Sequence, residues 1–143
     1  MKKICLLILL GFSGFVMQAQ DLDKIKELIT QSKFTEAKVA IDKFLSQPKN
    51  TDEPEAWYYK GRIYNSLSSD KATPEADVYN LKNEAYDAFK KYQVLDPKDI
   101  WLALEGYGSY LDLYAGFYDY GAKAFNAKSF DLAYQSFKKA NEV

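Results

Sequence analysis

Apolar residues recur along this chain with helical spacing in three places. A small residue followed four positions later by a large apolar one gives Ala37 and Ile41, Ala85 and Phe89, and Ala133 and Phe137; the stripes continue to Phe44, Tyr92 and Ala140. Spacing of i, i+4, i+7 is one face of a helix, so each segment predicts an amphipathic helix. Successive copies lie 48 positions apart. Each is preceded by a second stripe: Leu22, Ile25, Leu28 and Ile29, then Trp57, Gly61 and Tyr64, then Phe117, Gly121 and Ala124. In the last two a glycine stands four positions after a large ring, where a bare backbone lets a neighbouring helix come close. Glycine costs a helix about 1 kcal/mol, which that packing has to offset. The pattern predicts an all-α fold built from antiparallel helix pairs.

Punctuation residues bound these helices. Pro48 and Pro97 close the first two copies, because proline lacks the backbone donor and biases its predecessor away from helix. Phe34-Thr35-Glu36 and Phe130-Asp131-Leu132 predict an aromatic staple ahead of a polar first residue. Thr73-Pro74-Glu75 predicts an N-cap with proline in the first turn, hence a helix from Pro74 to Leu95.

Trp57-x2-Lys60-Gly61-x2-Tyr64, Ala85-x3-Phe89 and Pro97 together resemble the tetratricopeptide repeat, whose signature is W-x2-L-G-x2-Y, A-x3-F, P. Phe117-x2-Tyr120-Gly121-x2-Ala124 with Ala133-x3-Phe137 is similar, and in the first copy Ile25 replaces the glycine. The resemblance implies a right-handed stack of about three helix pairs, with Trp57, Tyr64, Phe89, Phe117 and Phe137 largely buried. A unit of that family has about 34 residues, so each 48-residue interval carries about 14 more. The excess falls at residues 66–80 and 100–114. The second of these predicts either a short extra helix or an extension of the helix that carries Gly121.

Residues 1–19 stand apart from this domain. Lys2 and Lys3 precede an apolar run from Ile4 to Val16, then Met17-Gln18-Ala19, which reads as a signal peptide cleaved after Ala19. The run is shorter than the roughly 20 residues that a membrane-spanning helix needs, so no transmembrane segment is expected after cleavage. Residues 20–143 are then a helical-repeat domain exported to the periplasm or cell envelope of a bacterium. Cys5 leaves with the signal, and the chain has no histidine. Those absences exclude a disulfide framework, a thiolate nucleophile, a Cys/His zinc site and a Ser-His-Asp triad. Without Lys2 and Lys3, 17 basic residues face 20 acidic ones, a net charge of -3 with no basic patch for nucleic acid.

No enzyme, metal site or cofactor site is expected. Asp87 and Lys91, like Glu36 and Lys38, fit solvated helix faces, and Gly106-x-Gly108 lacks the rest of a phosphate-binding fingerprint. Binding is the better candidate. In a stack of helix pairs the first helix of each pair lines the concave groove, which selects Tyr58, Arg62 and Asn65, then Tyr118, Ala122 and Phe125, both spaced i, i+4, i+7. Arg62 is the one arginine of the chain and offers a bidentate fork to a carboxylate or peptide backbone. Some family members grip acidic tails with a basic, asparagine-rich clamp. The matching places here hold Leu22, Lys26, Tyr58, Arg62, Tyr118 and Ala122, so that clamp is not reproduced. A non-catalytic scaffold for a peptide or protein segment is expected, with glycan binding through exposed aromatics or a structural spacer as alternatives. DLAYQSFKKANEV, residues 131–143, stops before the Asp-Pro that closes the preceding copy, which leads us to expect the N-terminal part of a longer chain.

Overall fold

The computed structural model describes residues 21–143; the expected signal peptide, residues 1–19, lies outside the described residues. Those described are all helix and connecting turn, with no strand among them. Helix α1 covers residues 21–30 and α2 is Phe34–Leu45. One turn of 3-10 helix, Pro48–Asn50, leads to α3, Pro54–Ser69, and α4, Glu75–Leu95. Then come the short α5, Ile100–Leu104, α6, Gly108–Asn126, and α7, Phe130–Glu142. No helix of the described residues is long and apolar enough to cross a membrane.

Two of the turns share one chemistry. After α1, Ser32 adopts a left-handed φ of 57°, its amide donates to the Ile29 carbonyl and the Lys33 amide to that of Leu28, both at 2.9 Å. After α6, Lys128 adopts a φ of 61°, its amide donates to Phe125 and the Ser129 amide to Ala124, again both at 2.9 Å. Such paired bonds satisfy helix-end carbonyls and reverse the chain within three residues. The next helices therefore begin one residue earlier than the staple pattern predicts, at Phe34 and Phe130 themselves. Pro74 is the cap of α4 and not its first residue; the Thr73 hydroxyl donates back to the Leu67 carbonyl at 2.6 Å, tying the turn to α3 instead of capping α4.

Rings rest on two of the helix glycines. A Cβ built on Gly61 would lie 2.6 Å from the Phe89 ring, and one on Gly121 would lie 2.8 Å from Phe137. Tyr58 faces Tyr92 at 5.7 Å and Ser68 meets Lys82 at 3.1 Å, so early α3 meets late α4 and the two run in opposite directions. Tyr79 and Tyr86 of α4 stand edge-on to Phe117 of α6 at 6.3 and 6.5 Å. On the other side, Asp42 of α2 accepts from the Tyr64 hydroxyl at 2.7 Å, and Lys26 of α1 pairs with Glu55 of α3 at 2.9 Å. Tyr64, Phe89 and Phe117 are buried as the stripes predict. Trp57 and Phe137 are only half-buried: the Trp57 indole reaches out to the Thr51 carbonyl at 2.8 Å, and one side of Phe137 opens on a surface depression.

The two excess segments are absorbed differently. Residues 66–80 lengthen both α3 and α4 around their turn, whereas residues 100–114 supply α5 and the first turns of α6. Both readings of the second segment thus occur together.

Filling the space at Gly61 forces Phe89 off its position. Gly61→Ala is expected to cost about 1–3 kcal/mol by overpacking. Gly108→Ala, at a site with nothing within 4 Å of the added Cβ, is expected to stay within about 0.5 kcal/mol of the parent. Urea midpoints of the two variants measure the contrast, and equal midpoints would contradict the ring-over-glycine contact.

Candidate interaction face

The two stripes predicted to line a groove have different fates. Tyr58 and Asn65 are buried, at 3% and 6% exposure, and Arg62 is half-buried. This corrects the groove expectation for the first stripe, and the reason is α5. The Tyr92 hydroxyl accepts the Trp101 amide at 2.8 Å and donates to Asp96 at 3.0 Å, while Asp96 also accepts the Ile100 amide at 2.9 Å. Asp99 turns the chain with a left-handed φ of 51°. So anchored, α5 lays Trp101 on Tyr58, stacked at 6.0 Å, and buries Leu102 completely. Glu105 pairs with Arg62 at 3.7 Å, and Arg62 lies over the Tyr58 ring at 5.7 Å. Asn65 points its amide at the Ser109 carbonyl, at a long 3.5 Å, and its Oδ1 is buried without a hydrogen-bond partner among the described residues. The chain covers its own first stripe.

Electrostatics agree with that burial. Burial pushes the Tyr58 and Tyr59 hydroxyls far above the ordinary tyrosine range; the Arg62 charge opposes this at Tyr58, and the carboxylates of Glu105 and Glu55 add to it at Tyr58 and Tyr59 respectively. Tyr64 and Tyr92 are pushed up to about 12, chiefly by burial, with hydrogen bonds to Asp42 and Asp96 acting in the same direction. None of these phenols is an acid or base near neutral pH.

The second stripe stays uncovered. Tyr118 is 52% exposed and Phe125 57%, and Ala122 is half-buried. Leu111 and Tyr114 extend the same face of α6 toward its start, and Phe130 and Tyr134 of α7 are also exposed. These residues are missing from the sequence-based site, although Leu111, Tyr114, Tyr118 and Phe125 share one helix face at spacings of three, four and seven. The rings contact one another: Tyr114 stacks on Tyr118 at 6.3 Å, Tyr118 lies 5.2 Å from Phe137, and Phe125 meets Phe130 edge-on at 5.5 Å. Tyr114, Tyr118, Phe137, Ala140 and Asn141 line a shallow depression of about 290 Å³. Exposed apolar residues gathered in this way mark interaction surfaces, whereas scattered ones do not. Among the described residues no cluster of three or more His, Cys, Asp or Glu side chains is placed to hold a metal ion.

The class that fold and face define is an all-helical protein with an exposed aromatic face on its α6–α7 pair. Set against family models, curated proteins and solved structures, the chain matches none of them.

Because the buried phenols are stabilised in their neutral form, their contribution to stability is present below the ordinary tyrosine range near 10 and is lost as pH rises toward the folded values of about 12 at Tyr64 and Tyr92. Alkaline titration should show tyrosinate absorbance and loss of helical circular dichroism rising together across that interval. Trp101→Ala, which uncovers Tyr58, is expected to cost about 2–3 kcal/mol and to bring part of the tyrosinate signal back toward pH 10. A parent protein whose tyrosines all ionise near 10 while it stays folded would contradict the burial of this cluster.

Proposed function

We propose that this protein is a non-catalytic scaffold of the tetratricopeptide type, a right-handed stack of three antiparallel helix pairs, which holds a short helical segment of a partner protein on its Tyr118–Phe125 face. The observation that carries the reading is a correspondence between two stripes. Tyr118, Ala122 and Phe125 follow Tyr58, Arg62 and Asn65 by sixty positions each. The earlier stripe is occupied by α5, a five-residue helix that brings one tryptophan onto the ring at its head. The later one has the same spacing and, among the described residues, no helix laid across its exposed rings. A short helix with an aromatic anchor is thus the occupant whose fit this molecule already exhibits. Its stripe residues are all apolar, so the partner needs no carboxylate of the kind Glu105 supplies to Arg62.

Support for the repeated architecture comes from features that recur: a ring over a glycine in α3–α4 and in α6–α7, and one turn chemistry after α1 and after α6. The basic-apolar-small order of residues 1–19 supports export, and the excess of acidic residues argues against a nucleic-acid partner.

A photoreactive phenylalanine at position 118 is expected to yield one protein adduct in whole cells, lost when Phe125→Glu is added. The same probe at exposed Val39, on α2, is expected to yield none. Phe125→Glu alone should leave stability within about 0.5 kcal/mol, as for a surface site. Equal labelling from both positions, or an adduct indifferent to Phe125→Glu, would remove the face from consideration, and a glycan adduct would favour the sugar reading.

A further inference from the structure

On a different face of α6 lies a cavity of about 420 Å³, walled by the end of α3, the start of α4 and the middle of α6. Lys82 lines it and is only 4% exposed. The Lys82 ammonium donates to the Ser68 hydroxyl at 3.1 Å, and that hydroxyl donates onward to the Asn65 carbonyl at 2.7 Å. An ammonium has three donors, which leaves two without an acceptor among the described residues. No carboxylate among the described residues is within ion-pair distance of it. Gly116 makes the room, since a Cβ there would fall on the Lys82 ammonium nitrogen. A buried charge left unpaired costs several kcal/mol, and burial accordingly holds Lys82 below the ordinary lysine range, with Asp119 opposing that shift and Lys123 adding to it.

The remaining walls narrow the ligand. Lys71, Lys82 and Lys123 balance Asp70, Glu75 and Asp119 in number, so the cavity is close to neutral as a whole. A multiply charged phosphate would meet those three carboxylates, whereas a single carboxylate group suits one unpaired ammonium. Asp70 already accepts the Ala72 amide at 2.9 Å through its Oδ1, and Glu75 and Asp119 line the cavity as further acceptors for donors on the ligand. We propose that this cavity binds a small carboxylate that also carries hydroxyl or amino groups: its carboxylate takes the open donors of Lys82, and its donor groups face Glu75 and Asp119.

The test uses protein labelled with carbon-13 in its lysine side chains, following the Lys82 titration, assigned through Lys82→Met, in four solutions at matched ionic strength. Gluconate probes a hydroxy acid, alanine an amino acid, sorbitol a neutral polyol and sodium sulfate an inorganic anion. Gluconate or alanine is expected to raise the Lys82 midpoint by about one pH unit or more, as an opposite charge at contact does, and which of them acts separates the two sources of the carboxylate. The same acid should raise the melting temperature of the parent and not that of Lys82→Met, a variant expected to fold because it removes an unpaired buried charge. The proposal is overturned if neither acid moves Lys82, if sorbitol or sulfate moves it equally, or if Lys82→Met keeps the thermal response.

Discussion

A phenylalanine ring resting on bare helix backbone is the contact from which the rest of this structure follows. Phe89 occupies the space a side chain at Gly61 would fill, and Phe137 does the same at Gly121. The approach gained in this way brings Tyr58 to Tyr92 and Ser68 to Lys82 across the same helix pair. Tyr92, fixed by that packing, then uses its hydroxyl to hold both the Trp101 amide and Asp96. The position of α5, and with it the covering of Tyr58 and Arg62, depends on a contact whose glycine lies three residues beyond Tyr58. Each glycine costs its helix about 1 kcal/mol in propensity, so the repeated use of one at equivalent places argues that close approach is what the pattern selects.

The two outer stripes show how polarity decides what can cover a surface. Arg62 and Asn65 bring charge and amide groups that lose water when covered, and desolvation without partners costs more than the buried area returns. The segment over them answers with Glu105 and the Ser109 carbonyl; among the described residues the Asn65 Oδ1 stays unmatched, as do the Asp99 Oδ1 and Tyr110 hydroxyl of the covering segment itself. At Tyr118, Ala122 and Phe125 there is no such requirement. Apolar area removed from water is worth about 25 cal/mol per Å² whatever covers it, so shape is the main demand on an occupant. On the proposed reading, selectivity for an occupant would come from the depression beside Phe137.

Helix identity was legible because burial follows period: Ala37 and Ile41, Ala85 and Phe89, and Leu22, Ile25 and Ile29 are all buried where a stripe of 3.6-residue period places them. The glycine positions announced the close approaches for the same reason. What could not be read was the covering of Tyr58, since a stripe seen in sequence records which residues share a helix face and nothing about what else reaches it. Ile100-Trp101-Leu102 gave a helical signal without a destination, and the hydrogen bonds that set its course come from Tyr92 and Asp96, residues with ordinary places in their own helix. The left-handed turns were hidden too, because Ser32 and Lys128 hold positions where glycine is the usual sign. Tyr118 and Phe125 belong to the predicted groove stripe and are exposed; their neighbours Leu111 and Tyr114 follow the same period but lie in the segment that exceeds the repeat length.

Gly116 presents a different case from Gly61 and Gly121. At Gly61 and Gly121 the missing side chain admits a ring, and the apolar area buried offsets the loss of helix propensity. At Gly116 it admits the end of a lysine. Removing that charge from water is itself unfavourable, so two destabilising choices meet at one place with no apolar gain to offset either. Alanine at 116 and methionine at 82 would satisfy both helix propensity and the desolvation balance, which makes the pair a local inconsistency in a chain whose other packing choices agree with its fold. Departures of this kind gather where a structure serves something besides its own stability. Ser68 strengthens the point: its hydroxyl proton is committed to Asn65, so it meets the ammonium as an acceptor and holds the charge in place without neutralising it. A fold that buries an ammonium, clears a notch for it and supplies one neutral acceptor has arranged a charge that the proposed carboxylate would complete.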